Sequence, residues 1–432
     1  MGFDRKSGRH NVASDGSGSS EEHPSTSLRV ARSVNASRRL AVFASKFLLI
    51  GMFAGCAAST TSASPTQTQT PLILSVQDAP IAFKGSDNHI HLVYELWVTN
   101  FSSVEITVSQ VKVFGDGQVL QTLDARQVAS RLQPAGQRSS IGIMESGTIS
   151  LLFLHLTLPA GTPVPTKLSH EISFSARGRD EQFSENGGDI TVDTKTKAPA
   201  VIGPPLMEAN LVSADSCCDA TRHTRAALPI NGRVWIAQRY AVDWEQLDNQ
   251  NRIYAGARDD VHSYTIYGDN VYAVANGKVV LAINDLPDEV PGVFPSGITL
   301  DEADGNSVIL DIGNGNYALY AHLEPGSVTV HNGDTVTRGE IIGKVGNSGN
   351  TLAPHLHFQV MNGPLSLASN GLPYEISSFQ ITGISPGTEA FDEAEENGTP
   401  LDVTPVDPPT PATTALPLDQ LIISFLPPPS GG

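Results

Sequence analysis

Two histidines in the C-terminal half of the chain have the type and spacing of a hydrolytic metal site. His355 and His357 lie two residues apart in the segment Pro-His-Leu-His-Phe, and on a strand both imidazoles project from the same face. His322 and Asp243 add an imidazole and a carboxylate in short apolar segments, where a lone carboxylate is costly to bury without a partner or a metal. Zinc favours imidazole and carboxylate ligands, and a catalytic zinc site keeps one position open for water. The hypothesis is therefore one Zn²⁺ ion and hydrolytic chemistry.

The elements that carry these residues are short strands joined by glycine turns. Residues 271–280 predict two strands around a glycine turn, and residues 306–323 predict a hairpin with Gly-Asn-Gly at its turn. The 39 glycines and 29 prolines of the 432 residues favour many short strands over long helices. The fold class predicted for the chain is all-β.

Three motifs follow one another in the segment 273–360: residues 313–323 (G-N-G-N-Y-A-L-Y-A-H-L), 333–349 (a G-D-x-V run that ends in G-N-S-G) and 355–358 (H-L-H-F). With these motifs in this order, the segment closely resembles the LytM or lysostaphin-type zinc metallopeptidases, which cut peptide bonds in bacterial peptidoglycan. The resemblance implies a LytM-type antiparallel β-domain with long loops and one zinc ion. It also implies that Asp243 and His357 are metal ligands, and that His322 and His355 assist catalysis at a zinc-activated water.

The sequence departs from the family at the first zinc ligand. The family has His four residues before the aspartate, and here that residue is Arg239. A guanidinium has no lone pair to offer a metal. His223 is the first candidate for a substitute ligand and His262 the second. Two readings follow: an envelope zinc metalloendopeptidase that hydrolyses peptidoglycan, or a degenerate, non-catalytic module that binds peptidoglycan or activates another cell-wall hydrolase.

The N-terminal segment predicts export and a lipid anchor. Residues 1–37 are expected to be disordered. Residues 38–56 combine Arg38 and Arg39, a short apolar run and small residues before Cys56, which resembles a signal peptide with a lipobox. The alternative is an ordinary signal peptide with an incidental cysteine. Lipidation at Cys56, followed by a flexible linker at 57–70, would tether the protein to a membrane of the cell envelope.

The remaining chain predicts two bodies and a tail. Residues 71–197 alternate apolar and polar residues in short runs, which is typical of an immunoglobulin-like β-sandwich, a candidate for binding an envelope protein. There His89 and His91 are interpreted as solvent-facing rather than as a metal site. Residues 198–206 predict a linker and 207–384 the peptidase domain, with long loops at 244–267 and 284–300. Residues 385–432 predict a disordered Pro- and acid-rich tail with a final strand near 419–425.

The net charge and the cysteine content limit the kinds of partner and site that the chain can have. The formal net charge of −18 argues against a nucleic-acid partner, because phosphate binding needs a basic surface. Cys217 and Cys218 are adjacent; a structural role, for instance a vicinal disulfide in an oxidising compartment, is favoured over a zinc site. A biotin- or lipoyl-like carrier and a sugar-phosphotransfer carrier are disfavoured, because the former lacks its turn lysine and an exported location suits neither.

Overall fold

The regular secondary structure of the described residues is almost entirely β-strand, as the composition predicts. The structure is a computed structural model that describes residues 69–193 and 197–425. The predicted signal segment and Cys56 lie outside these residues. Within them, the helices are α1 (Ala125–Ala129), α2 (Thr388–Asn397) and a 3-10 helix at Val261–Ser263. No helix in the described part is long and apolar enough to cross a membrane.

The strands fall into an N-terminal and a C-terminal group. The N-terminal strands are β1 (Leu72–Val76), β2 (Phe83–Lys84), β3 (Ile90–Asn100), β4 (Ile106–Gly115), β5 (Gln118–Asp124), β6 (Leu132–Pro134), β7 (Ile143–Met144), β8 (Ile149–Leu158), β9 (Lys167–Ala176) and β10 (Gln182–Thr191). The C-terminal strands are β11 (Ala200–Ile202), β12 (Leu211–Ala214), β13 (Leu228–Ile230), β14 (Arg233–Trp235), β15 (Val242–Gln246), β16 (Asn270–Tyr272), β17 (Gly277–Ile283), β18 (Asn306–Gly313), β19 (Asn316–Leu323), β20 (Thr335–Val336), β21 (Ile341–Lys344), β22 (Leu356–Met361), β23 (Gly371–Leu372), β24 (Tyr374–Ile384), β25 (Thr404–Ala415) and β26 (Leu421–Ser424).

The N-terminal strands form two five-stranded sheets. One has the order β1-β3-β8-β6 with β2 on β3, and the other has the order β10-β9-β4-β5 with β7 on β4. Alternate residues of both sheets, such as Leu92, Leu96, Val111 and Ile172, share one buried core. This is the arrangement of a β-sandwich, while its immunoglobulin-like character stays an interpretation.

The outer face of one sandwich sheet packs on the C-terminal body. On β3 the residues between the core positions, including His91 and Glu95, are also buried, and on β8 Leu151 and Phe153 pack against Ile236 of the second body. The expectation that His91 faces solvent was therefore wrong. The alternation was read correctly, but a second protein layer covers the face that it assigned to water.

The C-terminal body is built on one twelve-stranded sheet. Its strand order is β11-β24-β26-β12-β15-β22-β19-β18-β17-β20, with β23 on β22 and β25 on β24. The predicted hairpin is confirmed as β18 and β19. Asn314 and Gly315 both have positive φ at its turn, which suits a two-residue hairpin connection. The strands β15, β22 and β19, which carry Asp243, His357 and His322 respectively, lie side by side.

The predicted disorder of the tail was wrong for the residues that the structure describes. Residues 385–425 contain α2, the edge strand β25 and the strand β26, which lies between β24 and β12. The predicted final strand is thus inside the main sheet. The predicted linker also contributes β11, which pairs with β24 in parallel. The structure therefore ties the ends of the second body together in a single sheet.

Candidate metal centre

Asp243 is the centre of a cluster of four histidines. It lies on β15 directly opposite His357 on β22, so that sheet pairing alone brings the two together. Its Oδ1 is 2.8 Å from His357 Nδ1 and 3.4 Å from His355 Nε2, and its Oδ2 is 3.3 Å from His223 Nε2. The ring of His322 lies 4.7 Å from that of His355 and 5.9 Å from that of His357, centroid to centroid. The structure thus brings the four residues predicted from the resemblance together with His223.

Each histidine of the cluster is oriented by a hydrogen bond on one of its ring nitrogens. The pairs are His223 Nδ1 with Asp215 O (2.9 Å), His322 Nδ1 with Ser348 O (2.8 Å), His355 Nδ1 with Ala353 O (2.8 Å) and His357 Nε2 with Gln359 Oε1 (3.1 Å). A carbonyl oxygen can only accept, so these nitrogens carry the proton. The other nitrogen of each ring is the one available to a metal ion, which is how hydrogen-bonding groups behind the ring prepare metal-binding histidines.

The electrostatics of the cluster favour added positive charge. Burial opposes ionisation of Asp243, but the nearby His223 and His355 hold the pKa of its carboxyl well below the usual value. Burial would lower the pKa of His223, yet the carboxylate of Asp243 raises it to about 9. In the absence of a metal the carboxylate therefore draws a proton onto His223. A divalent cation would supply the same positive charge to the same atoms.

The donor set fits zinc. Two groups of three residues have their ligand atoms within 4.8 Å of one another: His223, Asp243 and His357, and His322, His355 and His357. The first group offers two imidazole nitrogens and a carboxylate, the composition of many three-ligand catalytic zinc sites. All three residues of the first group are buried or half-buried. Their roles as ligands stay predictions.

His223 reaches the cluster on a loop fastened to the C-terminal segment. The neighbouring Arg222 pairs with Asp215 at 2.6 Å and with Asp392 of α2. Asp419, just before β26, accepts a hydrogen bond from the backbone of Ser216. The C-terminal segment that sequence composition assigned to disorder therefore holds the loop that presents His223.

Arg239 points away from the cluster. Its Nε and Nη2 donate to the two carboxylate oxygens of Glu95 on β3 at 2.9 and 2.6 Å. Both side chains are buried, with exposed fractions of 7% and 5%. The position that holds the first histidine in the family is here part of the junction with the sandwich. His262, the second substitute candidate, packs on Tyr267 and lies in neither group of ligand atoms that includes Asp243 or His357.

Sequence reasoning missed two supporting residues and one backbone feature. Gln359 lies two residues after His357, so strand alternation could have placed it on the same face. Arg222 carries no such signal, because its partners are distant in sequence. His322 has a positive φ of 61°, which is costly for a residue with a Cβ and is found where function fixes the geometry.

Part of the chain is similar to known proteins. Residues 261–369 match the model of peptidase family M23. The DD-carboxypeptidase/endopeptidase Mpg of Neisseria meningitidis serogroup B is 42% identical over 71 residues, which make up 16% of each protein. The protein of the same name from Neisseria gonorrhoeae gives the same values. The chain thus matches only a small part of the length of these curated relatives.

Solved structures of similar proteins include two peptidases. The catalytic domain of the antimicrobial peptidase lysostaphin from Staphylococcus simulans is 28% identical, with 33% of this chain and 80% of that chain covered and a TM-score of 0.20. A putative peptidase M23 from Pseudomonas aeruginosa is 15% identical, with 61% and 89% covered and a TM-score of 0.22. The family match includes His322, His355 and His357, while Asp243 and His223 precede it. The chain therefore contains a segment of peptidase family M23 at residues 261–369.

Proposed function

We propose that this protein is a zinc metalloendopeptidase of the bacterial cell envelope that hydrolyses peptide bonds of peptidoglycan. One observation carries the proposal: His223 Nε2 lies 3.3 Å from Asp243 Oδ2, on the carboxylate that also receives His357. We infer that His223 replaces the missing family ligand from another part of the chain, while Arg239 makes its hydrogen bonds to Glu95.

Three residues are proposed to hold the metal and two to handle protons. His223, Asp243 and His357 would bind zinc, which supplies Lewis acidity and lowers the pKa of water. Burial and the neighbouring His355 and His357 hold the pKa of His322 well below its usual value, so His322 is a neutral imidazole that can accept a proton. His355 Nε2 lies in the same cluster, 3.4 Å from Asp243 Oδ1. These two side chains would take the proton of the attacking water and return it to the leaving amine.

We infer the substrate class from the family match. The resemblance to LytM-type peptidases and the match to family M23 support a peptide substrate in the cell wall. A relative named as a carboxypeptidase and endopeptidase is consistent with peptide-bond hydrolysis. The exported location and the lipid at Cys56 belong to the same proposal. One sheet of the sandwich does not pack on the second body. We propose the outer face of that sheet as the binding surface for an envelope protein.

The test is a cleavage assay with purified peptidoglycan. The full chain loaded with zinc should release peptides with new amino termini, measured by mass spectrometry. His355→Ala should keep the zinc and lose at least about a hundredfold in rate, the usual contribution of general acid-base catalysis. His89→Ala, on an exposed loop of the sandwich, is the matched histidine control and should cleave normally. Binding of peptidoglycan by a zinc-loaded protein that cleaves nothing would instead support the non-catalytic alternative.

A further inference from the structure

A second cluster of metal-ligating atoms lies where the sandwich meets the C-terminal body. His91 on β3, His155 on β8 and Cys218 have ligand atoms within 4.8 Å of one another. None of them belongs to the cluster around Asp243. His91 and Cys218 are buried, and His155 is half-buried. The cluster offers two imidazole nitrogens and one sulfur.

In this cluster, one ring nitrogen of each histidine faces the other histidine, and each of these two nitrogens carries a lone pair. His91 Nε2 is 2.9 Å from Asp87 Oδ1, and His155 Nδ1 is 3.0 Å from Asp219 Oδ2. Ionised carboxylates only accept, so these outer nitrogens carry the ring protons. His91 Nδ1 and His155 Nε2 are then left 2.8 Å apart, a distance that requires a proton or another cation between them.

The surroundings of the pair match those of histidines that bind metals. Each imidazole donates its outer N–H to a carboxylate, the arrangement that fixes tautomer and ring direction in metal sites. Asp219 is itself held by Arg131 at 2.5 Å. Gly85 allows this fit, because a Cβ at that position would lie 2.4 Å from His91 Nε2. Thr157 Oγ1 lies 3.4 Å from His155 Nε2 and can donate a hydrogen bond to the lone pair of that nitrogen. The lone pair of His91 Nδ1 would still have no hydrogen-bond donor.

Cys218 is withheld from this cluster by a disulfide. Its sulfur is bonded to that of Cys217, and a disulfide sulfur is not a thiolate ligand. An external dithiol could open the bond by exchange: its two thiols become a disulfide, and their two hydrogens and two electrons convert Cys217 and Cys218 to thiols. The disulfide lines a cavity of about 480 Å³ together with His155 and Asp219. A small reductant and a metal ion thus have a path to the sulfur.

We propose that reduction of the Cys217–Cys218 disulfide creates a second metal site, in which Cys218 Sγ, His91 Nδ1 and His155 Nε2 bind a thiophilic divalent ion such as Zn²⁺. On binding, Cys218 releases its thiol proton and the histidine pair releases the proton held between His91 Nδ1 and His155 Nε2, both to solvent, while the outer ring N–H groups stay hydrogen-bonded to the carboxylates. A mixed thiolate and imidazole set selects zinc and related transition metals over magnesium or calcium. The cavity supplies the open side at which a water completes the coordination.

The required movement is small. Tetrahedral zinc with bonds of about 2.0 Å to nitrogen and 2.3 Å to sulfur places two nitrogens about 3.3 Å apart and nitrogen and sulfur about 3.5 Å apart. The nitrogens must therefore separate from 2.8 Å by about half an ångström. The sulfur must move inward from at most 4.8 Å, which rotation about χ1 of a freed cysteine allows.

The test compares two single-cysteine variants of the full chain. Cys217→Ser leaves the Cys218 thiol without a disulfide, so it should bind one more zinc ion per chain than the oxidised wild type, without any reductant. Cys218→Ser is the matched control and should bind no extra zinc, because the sulfur that remains is that of Cys217. Wild type reduced with dithiothreitol and desalted without oxygen should gain the same single ion. Elemental analysis measures each ratio as an increment, so that the result does not depend on the site around Asp243.

A spectroscopic probe identifies the ligand. Cobalt(II) bound to reduced wild type or to Cys217→Ser should give a near-ultraviolet thiolate-to-metal charge-transfer band, and His155→Ala in the Cys217→Ser background should lose both the band and the extra ion. His89→Ala in the same background should keep both. An equal zinc content in Cys217→Ser and Cys218→Ser would overturn the proposal, as would extra zinc that survives the His155 substitution.

Discussion

The ion pair between Arg239 and Glu95 gives the sharpest stability prediction. Two charge-assisted hydrogen bonds join the side chains, and both partners are at least nine-tenths buried. Removing one partner leaves a buried charge without compensation, which costs about 3–5 kcal/mol. Arg239→Met should therefore lower the free energy of unfolding by about 3–5 kcal/mol, equivalent to a factor of at least about a hundred in the folding equilibrium.

Urea unfolding of the full chain measures this loss. Arg239→Met with Glu95→Leu should recover most of it, because replacing both partners of a buried pair by apolar groups is close to neutral. Arg233→Met is the matched control: its pair with Asp78 is exposed and should contribute less than about 1 kcal/mol. The zinc content of Arg239→Met should equal that of wild type. A folded Arg239→Met protein with unchanged stability, or one that has lost its zinc, would refute the assignment of Arg239 to the junction between the two bodies.

Three further predictions concern the site and the anchor. His357→Ala should abolish both zinc binding and hydrolysis, measured by elemental analysis and by peptide release from cell wall; an unchanged rate would remove the residue from the site. Gln359→Leu should weaken zinc binding about 10–100-fold, because the oxygen that accepts the hydrogen bond of His357 Nε2–H is lost, and competition with a fluorescent chelator would show an unchanged affinity if the hydrogen bond is incidental. Cys56→Ser should move the protein from the membrane fraction to the soluble fraction in cell fractionation, and an unaltered distribution would exclude a lipid at this residue.

Strand pairing explains why the central part of the site was predictable. Asp243 and His357 lie in strands with apolar neighbours, and their opposition across β15 and β22 is the kind of local geometry that a family pattern preserves. His223 was named only as one of two candidates. It precedes Asp243 by twenty residues in a loop without periodicity, and contacts from α2 and the segment before β26 place it. Such contacts leave no pattern in the sequence near His223.

The errors in the fold have equally specific causes. β25 carries four prolines and is largely exposed, so its composition resembles that of a disordered tail. Proline is tolerated there because β25 pairs only with β24, as an edge strand that needs few backbone donors. His91 was assigned to solvent because alternation identifies the outer face of a strand, whereas the docking of a second body on that face is a tertiary event.

Zinc stoichiometry of His223→Ala tests the central claim most directly. The oxidised full chain is incubated with zinc, freed of excess and analysed for metal, alongside His223→Ala and His262→Ala as the matched control, each shown to be folded by its circular dichroism. The account predicts about one zinc ion per chain in the wild type and in His262→Ala, and a loss of that ion in His223→Ala. A folded His223→Ala protein that holds zinc as wild type does would contradict it.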